Sequence, residues 1–80
     1  SNVKKSALDL YKSGRNLLDQ TRDLAVDHDD LRWMREDLEE ALLDLKLAVM
    51  DLDQERIANY SAEAHAVILT IFQWIGKFKK

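Results

Sequence analysis

Apolar and small residues recur along the first part of the chain in alternating steps of four and three positions. The stripe consists of Val3, Ala7, Leu10, Gly14, Leu17, Thr21 and Leu24. Such steps keep residues on one side of a helix, so they predict a first helix over about residues 3–25. Glycine inside a helix costs up to ~1 kcal/mol relative to alanine. Gly14 therefore indicates either a close approach of a neighbouring helix or a tolerated weakness.

A second stripe with the same steps predicts a second helix over about residues 29–52. It consists of Leu31, Met34, Leu38, Ala41, Leu45, Ala48 and Leu52. Asp27 or Asp29 is the predicted N-cap, because acidic side chains suit a helix N-terminus. Trp33 lies off the stripe among acidic residues, which indicates either an exposed candidate contact residue or a side chain packed against a neighbouring helix.

The second half of this helix carries a further apolar line beside the first. Leu43, Leu47 and Met50 make the helix apolar over most of its circumference. A helix of this kind needs cover on more than one side.

The end of the chain predicts a third helix over about residues 54–79, capped by Asp53. The alternative is a later start capped by Asn59 or Ser61, with helix 2 continuing through residue 58. Its narrow polar stripe is Asn59, Glu63, Ala66, Thr70, Gln73, Lys77 and Lys80. The remaining circumference is mostly apolar and includes Leu69, Trp74 and Phe78. This apolar face is wider than a lone three-helix bundle requires.

The three stripes predict one all-α domain, residues 1–80, folded as an up–down–up antiparallel three-helix bundle. The excess apolar surface predicts completion of a larger bundle by self-association. An antiparallel hairpin of helices 2 and 3 would join Leu43, Leu47, Met50, Leu69 and Trp74 in one patch. Helices 2 and 3 would then be central in a dimer, and helix 1 peripheral. The predicted interface residues are Trp33, Leu43, Leu47, Met50, Leu69, Trp74 and Phe78.

Composition supports a helical and acidic protein. The chain is 46% apolar, contains no proline and has a net charge of −3. Residues 1–26 carry five basic and three acidic groups. Residues 27–55 carry three basic and eleven acidic groups, and residues 56–80 carry four basic groups and one acidic group. Helices of opposite charge packed side by side, or an acidic docking face, would explain this division. Nucleic acid is not an expected partner, because no long basic stripe is present.

The sequence offers little for catalysis. It has no cysteine and no glycine-rich phosphate loop. We interpret the run Asp27–Asp30 as capping and not as a metal site, because neighbours within one turn point in different directions. His65 is expected to be a partly buried structural residue, with a phosphotransfer histidine as the alternative. We therefore expect no enzyme, no cofactor and no metal.

The pattern as a whole predicts a protein–protein interaction module: an oligomerisation domain, an adaptor or a chaperone-like bundle. Its partner would be a second copy, forming a homodimer, or another helical protein. A membrane-surface binder using Trp74, Phe78 and the terminal lysines is the less favoured alternative, since the polar stripe has no lysine at its centre. The lack of cysteine and of a visible signal peptide predicts a cytoplasmic setting.

Overall fold

Three α-helices and one short 3-10 helix make up the structure, a computed structural model that describes residues 2–79. The α-helices are α1 (Asn2–Thr21), α2 (Asp29–Met50) and α3 (Gln54–Phe78), and the 3-10 helix spans Leu24–Asp27. No strand occurs between residues 2 and 79. Each α-helix packs against the other two, and the molecule measures 40 × 18 × 17 Å. The predicted all-α class is confirmed.

The α-helical part of the first segment ends at Thr21, four residues before the predicted end. The buried Thr21 hydroxyl donates to the Leu17 carbonyl at 2.8 Å. Arg35 of α2 donates to the Leu18 carbonyl at 2.9 Å and to Thr21 Oγ1 at 3.0 Å. Carbonyls at a helix end need such partners, so a side chain from α2 fixes where α1 stops.

The N-cap of α2 is His28, which corrects the prediction of Asp27 or Asp29. Asp27 belongs to the 3-10 helix, and Asp29 is already the first residue of α2. His28 has extended backbone and makes no side-chain cap hydrogen bond. In the first turn of α2, the Asp30 carboxylate accepts a hydrogen bond from the Leu31 N–H at 2.9 Å.

The turn between α2 and α3 explains why α2 ends at Met50 and not at residue 52. Leu52 has a φ of 55°, the left-handed conformation that usually falls to glycine after a helix. The N–H of Leu52 donates to the Val49 carbonyl, and the N–H of Asp53 donates to the Ala48 carbonyl, both at 3.1 Å. These two bonds form a Schellman motif, which closes the helix.

The predicted cap of α3 is confirmed. Asp53 Oδ1 accepts from the Arg56 N–H at 3.1 Å. The Arg56 guanidinium also donates to Asp51 at 3.0 Å, and this hydrogen bond raises the pKa of Arg56. The start of α3 is therefore tied to the turn before it.

Contacts along α1 meet α2 in reverse order of residue number. Ala7 shares a buried cluster with Leu45 and Val49, and Thr21 meets Arg35. Contacts between α2 and α3 show the same order. Ala48 and Val49 cluster with Ile57, while Asp30 bonds to Trp74.

Gly14 lies where α1 comes closest to α2. A Cβ at this position would stand 2.7 Å from Leu42 Cδ1 and 2.8 Å from Cδ2. Leu42 is only 1% exposed, so its side chain has little room to move. Of the two interpretations of Gly14, the close approach of a neighbouring helix is confirmed.

The two glycines should respond to alanine in opposite directions. Gly14→Ala gains helix propensity but overpacks Leu42, so we expect the free energy of unfolding to fall by about 1 kcal/mol. A Cβ added at Gly76 would meet no packed neighbour within 4 Å, so Gly76→Ala should raise the free energy of unfolding by about 0.5 kcal/mol. Urea unfolding followed by circular dichroism, at one fixed protein concentration, measures both. A stabilising Gly14→Ala would contradict the tight contact.

Candidate interaction surface

The outer side of α2 carries exposed leucines. Leu43, Leu47 and Met50 are 56%, 43% and 67% exposed. Their spacing of four and three places them in one row. At 100° per residue this row lies opposite Leu45, which is completely buried. The apolar row therefore faces away from the core.

α1 extends this apolar row on one side. A recess of about 220 Å³ opens between α1 and α2. Its lining residues are Ala7, Leu8, Tyr11, Leu45, Lys46, Val49 and Met50. Leu8 is 43% exposed, so it joins Met50 at the rim. Apolar side chains of two helices thus share one surface.

Charged residues occupy the next recess along the same two helices. Arg15 comes from α1, and Glu36, Glu39 and Glu40 come from α2, and Leu43 lines the same recess. Within residues 2–79 the ion pairs join Arg22 to Asp19, Arg32 to Asp29 and Arg56 to Asp51. Each of these pairs is local in sequence. Arg15 and the three glutamates form no ion pair in the described part of the chain.

These two recesses and the leucine row form one region, called here the α1–α2 surface. Its members are Leu8, Tyr11, Arg15, Glu36, Glu39, Glu40, Leu43, Lys46, Leu47 and Met50. The α1 residues were missed by the sequence prediction, which treated helix 1 as peripheral. The available signal was Leu8, an apolar residue outside the predicted core stripe and between Lys5 and Lys12.

Leu69 does not belong to this surface. It is 48% exposed on α3 and lies about 140° around that helix from Trp74, which points to α2. Its neighbour one turn on, Phe72, lines a recess with Leu17 and Leu24 on the other side of the bundle. The expectation that Leu43, Leu47, Met50, Leu69 and Trp74 would form one patch is therefore not met by their placement.

Trp74 and Phe78 lie in an aromatic cluster at the end of the bundle. Their rings stack with centroids 5.1 Å apart, and His28 packs edge-on against both, at 5.1 and 4.9 Å. The Trp74 indole N–H donates to Asp30 Oδ2 at 2.7 Å. Trp74 is half-buried, and its polar group is engaged within the chain. Both residues thus have a structural role in joining the start of α2 to the end of α3.

Trp33 is 66% exposed, in line with the first of its two interpretations. It shares its side of α2 with Asp37 and Asp44. Ten residues separate it from Leu43, which is about 15 Å along a helix. Trp33 nevertheless lies one turn before Glu36, so it stands at the acidic end of the α1–α2 surface and away from the leucines.

His65 is exposed, which corrects the expectation of a partly buried structural histidine. His65 lies about 60° around α3 from the buried Ile68, at the edge of the apolar side of the helix. Among residues 2–79, no three side chains of the metal-ligating types come together to hold an ion. The same residues contain no helix long and apolar enough to cross a membrane.

Comparisons with protein-family models, with curated proteins and with solved structures found no match to this chain. Its function is therefore inferred from the geometry of its surfaces.

The two tryptophans should differ in their contribution to stability. Trp74→Phe keeps the stacked ring but removes the N–H that binds Asp30, so the free energy of unfolding should fall by about 1 kcal/mol. Trp33→Phe is the matched control and should change it by less than about 0.5 kcal/mol. Thermal unfolding at fixed protein concentration compares them. Equal effects would show that the Asp30 hydrogen bond contributes nothing.

Proposed function

We propose that this chain is a non-enzymatic protein–protein interaction module, an oligomerisation domain that forms a homodimer through its exposed apolar surface. The observation that carries the proposal is the row of Leu43, Leu47 and Met50 on the outer side of α2. Contiguous exposed apolar residues on a small protein usually mark an association site. An adaptor or chaperone-like module would use the same surface for another helical protein.

The arrangement that we propose for the monomer is an up–down–up bundle. The reverse order of contacts supports it, since Ala7 meets Val49 near one end and Thr21 meets Arg35 near the other. The same reversal relates α2 to α3 through Val49 with Ile57 and Asp30 with Trp74. This topology leaves the outer side of α2 without a covering helix.

The size of the exposed surface also supports association. The chain exposes 5588 Å², whereas a monomeric protein of 9.3 kDa typically exposes roughly 5,000 Å². Part of the excess comes from the elongated shape of the bundle. Burial of the exposed leucines of α2 in an interface would be favourable at ~25 cal/mol per Å².

Packing within the chain weighs against the membrane alternative. Ile57, Ala64, Ile68 and Ile71 of α3 are buried against the other helices. An interfacial helix would need this apolar side for lipid. Binding to a membrane would therefore require α3 to leave the core.

Two leucine-to-glutamate variants test the proposed function. Leu47→Glu places a charge in the proposed interface, so the dimer should dissociate at least about tenfold more readily. Leu69→Glu has the same chemistry and similar exposure but lies on another side of the bundle, so it should leave dissociation unchanged. Sedimentation velocity over a dilution series measures both. A Leu47→Glu chain that associates like the unmodified chain would exclude the α2 surface as the interaction site.

A further inference from the structure

We propose that a second copy of this chain covers the α1–α2 surface, with the two copies related by a two-fold axis parallel to the helices. In this arrangement α1 of each copy lies on α2 of the other. The inference rests on the proposed function and specifies its partner and geometry. Four helices, α1 and α2 from each copy, then form the centre of the dimer, and α3 lies outside.

The exposed row on α1 is basic around one leucine. Lys5, Leu8, Lys12 and Arg15 follow one another in steps of three, four and three, and all are exposed. The row combines apolar surface in its middle with positive charge at both ends. Such a row complements an apolar surface that carries negative charge.

The exposed row on α2 has that complementary character. Glu36, Glu40, Leu43, Leu47 and Met50 follow one another in steps of four, three, four and three. Its beginning is acidic and its second half is apolar. Glu39 adds a further carboxylate beside this row, in the recess that also holds Arg15.

The position of each residue along the bundle axis, called here its height, determines which groups of the two copies lie opposite each other. Arg15 follows Gly14, which lies against Leu42, and Glu39 is one turn from Leu42, so Arg15 and Glu39 lie within about 5 Å of the same height. Leu8 and Met50 line the other recess and also share a height. A two-fold axis parallel to the helices preserves height and exchanges the two sides. It therefore sets Arg15 against Glu39 of the second copy and Leu8 against Met50 of the second copy.

The other orientation of the axis is unfavourable. A two-fold axis that lies in the same surface but perpendicular to the helices would place α1 on α1 and α2 on α2. Basic rows would then face basic rows. Because this axis also reverses height, the glutamates of α2 would face either one another or the apolar half of the other α2. Like charges across an interface and carboxylates against apolar surface are both unfavourable. The parallel axis instead sets Arg15 against Glu39, so the charges at this end of the surface favour the parallel axis.

The charges of this surface are available for a partner. Arg15, Glu36, Glu39 and Glu40 make no ion pair in the described residues, whereas three other arginines are each paired locally. Arg15 and these three glutamates are thus not joined to one another in close pairs. Interface charges arranged in this way determine the partner and the register.

A charge exchange between two variants tests this geometry. Arg15→Glu alone gives four carboxylates around the axis, and Glu39→Arg alone gives four guanidinium groups. Each variant should therefore dissociate at least about tenfold more readily than the unmodified chain. An equimolar mixture should form heterodimers, because both contacts between the copies then join opposite charges. Sedimentation velocity on each variant and on the mixture, with a fluorophore on one of them, measures this.

Matched controls use exposed charges of α3. Lys77→Glu and Glu63→Arg make the same changes of charge on a helix that lies outside the proposed centre. They should dimerise like the unmodified chain, alone and mixed. Circular dichroism checks the fold of all four variants, and formation of heterodimers would itself show that the two test variants are folded.

Three results would overturn the inference. One is a mixture that stays as dissociated as its components, which would show that Arg15 and Glu39 do not meet across the interface. Another is a full response to Leu47→Glu with no response to the charge variants, which keeps the proposed function but excludes this geometry. The third is an unmodified chain that is monomeric at every concentration, which excludes a second copy as the occupant and leaves a different protein as the partner.

Discussion

Leu42 of α2 fills the space that a side chain at position 14 of α1 would occupy, and the arrangement of the bundle follows from this contact. Glycine lets α1 approach α2 at this distance without displacing Leu42, since a Cβ would stand 2.7 Å from Cδ1 of this buried leucine. The close approach brings Leu8 beside Met50 and Arg15 beside the glutamates of α2. Two helices of opposite charge thus form one continuous surface, with an apolar part and a charged part.

Hydrogen bonds and ring contacts join the ends of the helices. Arg35 reaches from α2 to the end of α1, where it donates to the Leu18 carbonyl and to the Thr21 hydroxyl oxygen. His28, Trp74 and Phe78 join the start of α2 to the end of α3 through ring contacts. The rings of Trp74 and Phe78 are therefore engaged within the chain. The leucines on the outer side of α2 have no such partner among residues 2–79, which is why we assign association to that side.

The helical class, the three helices and the Asp53 cap could be predicted because they depend on neighbours within one or two turns. The exposed polar stripe of α3 follows the predicted residues from Asn59 to Lys77 for the same reason. The end of α1 depends on Arg35, fourteen residues beyond Thr21 in the chain, and local spacing gives no sign of it. The prediction that Leu69 and Leu47 share one patch failed for a similar reason, because it depends on contacts between helices. Both leucines are exposed, but the side of the bundle on which each one lies depends on how the three helices pack together. Leu8 was overlooked because the prediction of a core stripe set aside residues outside it.

The proposed function requires that the α1–α2 surface be incomplete in a single chain. The most direct test is the solution mass of the unmodified protein, measured by light scattering on a sizing column over a range of concentrations. We predict a species of twice the 9.3 kDa chain mass, which dissociates on dilution. A mass of one chain at every concentration, with no tendency to associate, would contradict the proposal.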